Sequence, residues 1–208
     1  MKNELYQNNL PLFSFYDKGV RIAEGRIVLQ NHTIYKPFNI VDIYKYITTN
    51  KDAEQATRKL REITDEKLSK EFKLLNFCAF TPGGVFSPTR KTCNLTSHSG
   101  LMVIDSDHLG GEKQVEQVRK ILLNDSEFDT AMLFVSPRGQ GLKWIIYIGE
   151  ADAEMHSRYF SVVINYLYNR YELEADKSGR DVSRLCFLPF DPKCYLNNEF
   201  LTYEKAKL

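Results

Sequence analysis

The 208-residue sequence has almost no excess charge of either sign: 28 Lys and Arg stand against 27 Asp and Glu, a formal net charge of +1. That balance excludes global electrostatic attraction as the basis of nucleic-acid or membrane binding, so any basic surface must come from local segregation of charge. Cysteine is sparse as well. Cys78, Cys93, Cys186 and Cys194 form neither a CxxC pair nor a dense framework, which argues for a reduced, cytoplasmic setting. Long apolar runs are missing, none approaching the roughly 20 residues of a membrane span. The opening "MKNELYQNNLPLFSFYDKG" lacks the apolar core and cleavage site of a signal peptide, so a soluble protein is expected. Internal repeats and low-complexity linkers are also absent, which favours one domain over 1–208.

What is present is a mixed pattern of helical and strand periodicities. "LPLFSFYDKGVR" reads as a short strand and turn, and "PFNIVDIYKYITTN" as a helix with Ile40, Ile43, Tyr44 and Ile47 on one side. In "KDAEQATRKLREITDEKLSKEFKLL", Ala53, Ala56, Leu60 and Ile63 and then Leu68, Phe72 and Leu75 fall at helical spacing. Its many Lys and Arg residues read as a solvated face, with a phosphate-contacting flank as the alternative. The Pro-, Gly-, Ser- and Thr-rich "NFCAFTPGGVFSPTRKTCNLTSHSG" gives short strands and loop around Phe77–Phe80 and Val85–Phe86. "GEKQVEQVRKILLND" carries Val115, Val118, Ile121 and Leu122 on a helical face. "TAMLFVS" and "LKWIIYIGE" read as a hairpin closed by "PRGQG". A long helix capped by Asp152 follows, with Tyr159, Val163, Tyr166 and Leu167 expected in the core, and then a strand over Arg184–Phe187. The sum is an α+β chain with a mainly antiparallel sheet, an N-terminal α/β part over 1–95 and a motif-bearing part over 96–208.

Three motifs carry the chemistry. In "SGLMVIDSDHLGG" an apolar strand runs into Asp105 and Asp107, which at i and i+2 share one strand face. Paired oxygen ligands suit Mg²⁺ or Mn²⁺; the plain alternative is a strand end that caps a turn. In "FVSPRGQGLKW", Gly139 and Gly141 let the backbone approach an anion, while Ser136, Arg138 and Lys143 add donors and positive charge. In "DKSGRDVSRLCFLPFDP", Asp181 and Arg184 supply a third carboxylate and a guanidinium, or else close a surface turn. His98 and His108 flank the aspartate strand within reach of a metal or triphosphate, while His32 and His156 have no chemical neighbours in sequence. Cys186, inside an apolar stretch, reads as core.

Taken in order, hDhD, then S-x-x-G-x-G-L-K on a hairpin, then D-x-x-R before an apolar strand and "FDPKCYLN", the sequence resembles the BT4734-like family, also called the VirE N-terminal domain family. That family is related to the archaeo-eukaryotic primase superfamily, the primase-polymerases. The likeness runs from "TRKLREITDEKLSKEFKLLNFCAFTPGGVF" through "SHSGLMVIDSDHL" and "SPRGQGLK" to "DVSRLCFLPFDP". It implies a primase-polymerase-like core with an RRM-like sheet flanked by helices. Asp105, Asp107 and Asp181 would be its catalytic metal ligands for Mg²⁺ or Mn²⁺. Ser136, Arg138, Gly139, Gly141 and Lys143, with Arg184, would form its nucleotide-binding side, and His98 and His108 would be accessory. Active primase-polymerases usually end the hairpin motif with histidine, where this sequence has Lys143. Lysine holds a phosphate as a point charge but lacks the acceptor role of a neutral imidazole.

The expected function is a metal-dependent nucleotidyltransferase that uses nucleoside triphosphates on a nucleic-acid template, with DNA preferred, in replication of a mobile element. The alternatives are a non-catalytic primase-derived module that binds nucleic acid or nucleotide, and a metal-dependent nuclease built on the same carboxylates. The sequence contains no G-x-x-x-x-G-K-S/T phosphate loop, so a helicase of the kind often fused to such cores is expected outside these residues or in a partner.

Overall fold

The computed structural model describes residues 10–22, 26–31 and 37–206, and these form an α+β fold built on antiparallel strands. His32 lies outside the described residues. The first part comprises β1 (Leu12–Phe13), β2 (Phe15–Arg21), β3 (Ile27–Asn31), β4 (Phe38–Asn39), α1 (Ile40–Thr49), α2 (Lys51–Glu62) and α3 (Glu66–Asn76). Then come β5 (Ala79–Phe80), β6 (Gly84–Phe86), β7 (Leu95–His98), β8 (Leu101–Ser106), α4 (Glu112–Leu123), β9 (Thr130–Val135), β10 (Leu142–Tyr147) and α5 (Ala153–Tyr171). After a 3₁₀ turn at Lys177–Arg180 come β11 (Cys186–Phe187), β12 (Tyr195–Leu196) and α6 (Asn198–Ala206).

Two four-stranded antiparallel sheets organise the molecule, one in the order β12-β9-β10-β8 and the other β11-β5-β2-β3. The apolar run that precedes Asp105 explains the first. All six residues of β8 are buried, because this strand is covered on both faces. Leu101 and Val103 face a core shared with Phe15 and Phe80 of the second sheet, with Phe13 of β1 and with Ile40, Ile43 and Ile47 of α1. Met102 and Ile104 point the other way, against Val115 and Leu122 of α4 and Phe160, Val163 and Leu167 of α5. The pleat therefore fixes which side of the sheet each chemical residue joins: Asp105, two positions after Val103, belongs to the face turned toward the second sheet.

Local chemistry sets the element ends, and in places it shortens or splits what the spacing predicts. The amphipathic stretch 51–75 is two helices, since the Asp65 side chain accepts from Leu68 N at 2.7 Å and starts a new helix. Leu68 is consequently exposed rather than packed. Asp152 caps α5 as expected, accepting from Met155 N at 2.8 Å. Of the four residues expected in the α5 core, Val163 and Leu167 are buried, Tyr166 is half-buried and Tyr159 is exposed. The expected strand over Arg184–Phe187 contracts to Cys186–Phe187, because the Arg184 N–H is already used by the Asp181 carbonyl at 2.8 Å. Among the described residues no helix is long and apolar enough to cross a membrane.

Candidate metal and phosphate site

The end of β8, the β9–β10 hairpin and the 176–187 segment converge on a cleft of about 640 Å³, which α3 closes on another side. Asp105, Asp107, His108, Ser136, Arg138, Lys143, Asp181 and Arg184 all line it, so most of the residues singled out in the sequence meet here. His98 does not line it. Its Nε2 instead meets Nδ1 of His156 at 3.1 Å. Cys186 is buried at the strand pair with β5, and burial pushes its thiol up to about 11, as befits a core residue.

Asp105, Asp107 and Asp176 each offer a carboxylate oxygen, and these oxygens lie within 4.8 Å of one another. Asp176, rather than Asp181, thus completes the carboxylate cluster. The segment after α5 runs beside β8, where Asp176 N donates to Asp105 O at 2.8 Å and brings its side chain to the strand end. Burial opposes the charge on Asp176, but Ser178 N and Oγ, at 2.9 and 2.6 Å, and Arg184 hold its carboxyl below the usual range. Asp181, also in the cleft, is occupied by the turn that follows. It accepts from Ser183 N at 2.9 Å and Thr92 Oγ1 at 3.0 Å, and these donors, against the effect of burial, lower its pKa too. Asp176 escapes a reading of the sequence because "EADKSGRD" offers several acids of similar surroundings, and only the path after α5 selects among them.

The hairpin explains why lysine meets aspartate. Lys143 of β10 stands directly opposite Asp105 in the antiparallel register, so both side chains leave the same face. Its ammonium is bonded to Asp105 Oδ2, while Arg184 Nη2 lies 3.8 Å from that oxygen and 2.8 Å from Asp176 Oδ2. Burial pushes Lys143 down to about 8, and Arg184 and Lys73 push the same way against Cys186 and Asp176. Asp105 Oδ1 differs from its twin. It is buried and has no hydrogen-bond partner.

Ser136-Pro137-Arg138-Gly139 is a tight turn, with Gly139 N donating to Ser136 O at 2.8 Å, and its residue order suits a type I turn. Gly139 has φ +80, and Gly141 permits close approach: a Cβ there would stand 2.4 Å from Ser106 O and 2.8 Å from Asp107 Oδ1. Gly141 therefore lets the hairpin press onto the aspartate loop, while Gly139 faces Arg61. Arg138 reaches back from the turn, and its Nε donates to the buried Ser69 of α3 at 2.8 Å. Lys70 and Lys73 of α3 and Arg90 of the preceding loop also line the cleft. These three were legible only as members of a basic helix face and a polar loop, with no signal separating them from solvated neighbours.

A family model, BT4734-like, N-terminal domain, matches residues 74–196, which include the carboxylate cluster and the hairpin. The chain belongs to this BT4734-like family. The matched segment begins within α3 and ends at β12, so β1–β4, α1 and α2 lie outside it. No curated protein and no solved structure matches the chain.

Proposed function

We propose that this BT4734-like chain is a metal-dependent nucleotidyltransferase core of primase-polymerase type, which joins nucleotides on a nucleic-acid template. The observation that carries the reading is Asp105 Oδ1. A buried carboxylate oxygen without a donor is costly, and it belongs to a cluster whose other members are also hard oxygen donors. That donor set fits Mg²⁺ or Mn²⁺, with Asp105, Asp107 and Asp176 as the holding residues. A bound divalent ion would supply charge stabilisation to a phosphoryl group in transfer. The chain's own residues orient the parts: the register fixes Asp105, Ser178 and Arg184 fix Asp176, and Arg138 of the 136–141 turn, held by Ser69, lines the same cleft.

A second reading, a nucleotide- or nucleic-acid-binding module without catalysis, is favoured by the pairing of Lys143 with Asp105 and of Arg184 with Asp176. In it, cations of the chain itself balance the cluster. One experiment separates the two. Wild-type protein with Mn²⁺, a primed or bare DNA template and labelled nucleotides should give an extended or new strand, and Asp105→Ala should give none. Calorimetry should show Mn²⁺ binding that is lost in the Asp105→Asn, Asp107→Asn double variant. Mn²⁺ binding without product under any template would favour the binding module, and unchanged Mn²⁺ affinity in the double variant would remove the metal site.

A further inference from the structure

Of the lysines and arginines that line the cleft, Lys70 is paired with Glu66 and Arg90 Nη1 donates to Ser183 O at 2.7 Å. Lys143 and Arg184 are spent on Asp105 and Asp176. Lys73 and Arg138 have no carboxylate within ion-pair distance among the described residues. Arg138 is held by the neutral Ser69 hydroxyl, and the Lys73 ammonium stands 5.9 Å from the centre of the Phe187 ring. The contrast with the exposed helix faces is informative. There the chain pairs its cations at i, i+3 or i+4, as in Lys51 with Glu54, Arg58 with Glu54 and Arg158 with Glu154.

Lys73 is half-buried, and burial lowers its pKa, with repulsion from Arg138 next in weight. Two unpaired cations that repel each other inside a half-enclosed cleft are unfavourable unless an anion joins them. Arg138 cannot simply swing away. Its guanidinium is tied to Ser69, one turn before Lys73 on the same helix, so α3 and the hairpin hold the two charges together. Asp107 lines the same cleft as Lys73 and Arg138 and acts on Lys73 electrostatically, so the two cations share the cleft with the carboxylate cluster. A ligand that satisfies both needs phosphates for the cations and a further phosphate oxygen for a carboxylate-held metal, and the cleft volume of about 640 Å³ suits a nucleotide.

We propose that Lys73 of α3 and Arg138 of the hairpin together bind the terminal phosphates of a nucleoside triphosphate. The assignment deepens the nucleotidyltransferase reading of the same cleft and rests on it. It also adds a residue that the family match does not contain, since Lys73 precedes the matched segment 74–196.

The test titrates inorganic tripolyphosphate, a nucleoside triphosphate and a short single-stranded DNA against the full chain, with and without Mn²⁺. Lys73→Ala should weaken tripolyphosphate and nucleotide binding about tenfold to a hundredfold, as expected for loss of a charge-assisted contact. Lys73→Arg should restore most of it. Lys67→Ala, on an exposed position of the same helix, should bind as wild type. Thermal melts of each variant confirm that the fold is kept. Wild-type protein that takes tripolyphosphate in neither condition, unchanged affinity in Lys73→Ala, an equal loss in Lys67→Ala, or a loss confined to single-stranded DNA would each overturn the assignment. Lys73-dependent binding without any strand product keeps the assignment and removes the nucleotidyl-transfer reading. Product formation with an unchanged nucleotide KM in Lys73→Ala does the reverse.

Discussion

His98 and His156 show how burial and hydrogen bonding fix a protonation state. Gly100 N–H donates to His98 Nδ1 at 3.0 Å, so the neutral His98 carries its proton on Nε2 and donates it to His156 Nδ1. Burial lowers both rings to about 4, opposed at His98 by Asp152 and reinforced at His156 by His98. A base with a depressed folded pKa binds fewer protons folded than unfolded, so stability rises with pH between the two values. The contribution of the pair is complete above about 6.5 and is lost as pH falls toward 4. Asp176 and Asp181 have the opposite sense of charge and a lower window: their lowered pKa values stabilise the fold above the ordinary 3.8 and are lost below it. Urea midpoints measured from pH 7 to pH 4.5 should therefore fall in wild type and fall less steeply in His156→Gln. Parallel curves would show that His156 takes up its proton alike in the folded and unfolded chain, and would remove this account.

At the scale of elements, one buried ion pair ties α4 to the turn before β12. Arg119 Nη2 donates to Asp191 Oδ2 at 2.9 Å, and Asp191 also accepts from Val135 N at 2.8 Å and Lys193 N at 2.9 Å. Asp191→Ala removes the counter-charge of a buried guanidinium, whose Nη1 keeps only the Lys193 carbonyl at 2.9 Å, and leaves two backbone donors without this acceptor, so it should cost about 3–5 kcal/mol in urea unfolding. A loss below about 1 kcal/mol would place the pair among surface bridges. Gly141→Ala acts on a different junction. Its Cβ would meet the Ser106 carbonyl and Asp107, so the hairpin and the aspartate loop must part, at about 1–3 kcal/mol of stability. Calorimetric Mn²⁺ affinity should drop with it, because Asp107 moves; an unchanged affinity would separate the hairpin from the carboxylate cluster.

The same elements show what a sequence can express. α4 and α5 were readable because a buried face writes period 3.6 into the residues, and β8, β9 and β10 because burial on both faces leaves short apolar runs bounded by turn residues. The pairing of Lys143 with Asp105 was not, since alternation gives the face of each residue but not which residue stands opposite. Asp107 lies just past the strand end, where strand parity no longer governs its direction. Asp176 and Lys73 depend on the path after α5 and on how α3 lies against the hairpin. Those are tertiary facts with no local period.

For the whole molecule, the question is whether the family segment is a folding unit by itself. The cleft draws its carboxylates and hairpin from residues 74–196, but the sheet face beneath them is covered from outside that segment. Phe13, Phe15, Ile40, Val41, Ile43 and Ile47 are between 0% and 4% exposed and pack against Phe80, Val103, Ile145 and Leu188. β5 has β2 as its partner on one side, so removing the first 73 residues also opens a sheet edge. At about 1.5–3 kcal/mol per buried side chain, these six contribute roughly 9–18 kcal/mol, comparable with the entire stability of an ordinary domain. A fragment of residues 74–196 should therefore show no cooperative thermal transition and should bind a hydrophobic dye, whereas the full chain melts sharply. A sharp melt of the fragment, with Mn²⁺ binding retained, would mean that the N-terminal layer is an addition to an independent core and that α3 acts only through its cations. Loss of both in the fragment, with both present in the full chain, ties the site to the layer that covers it.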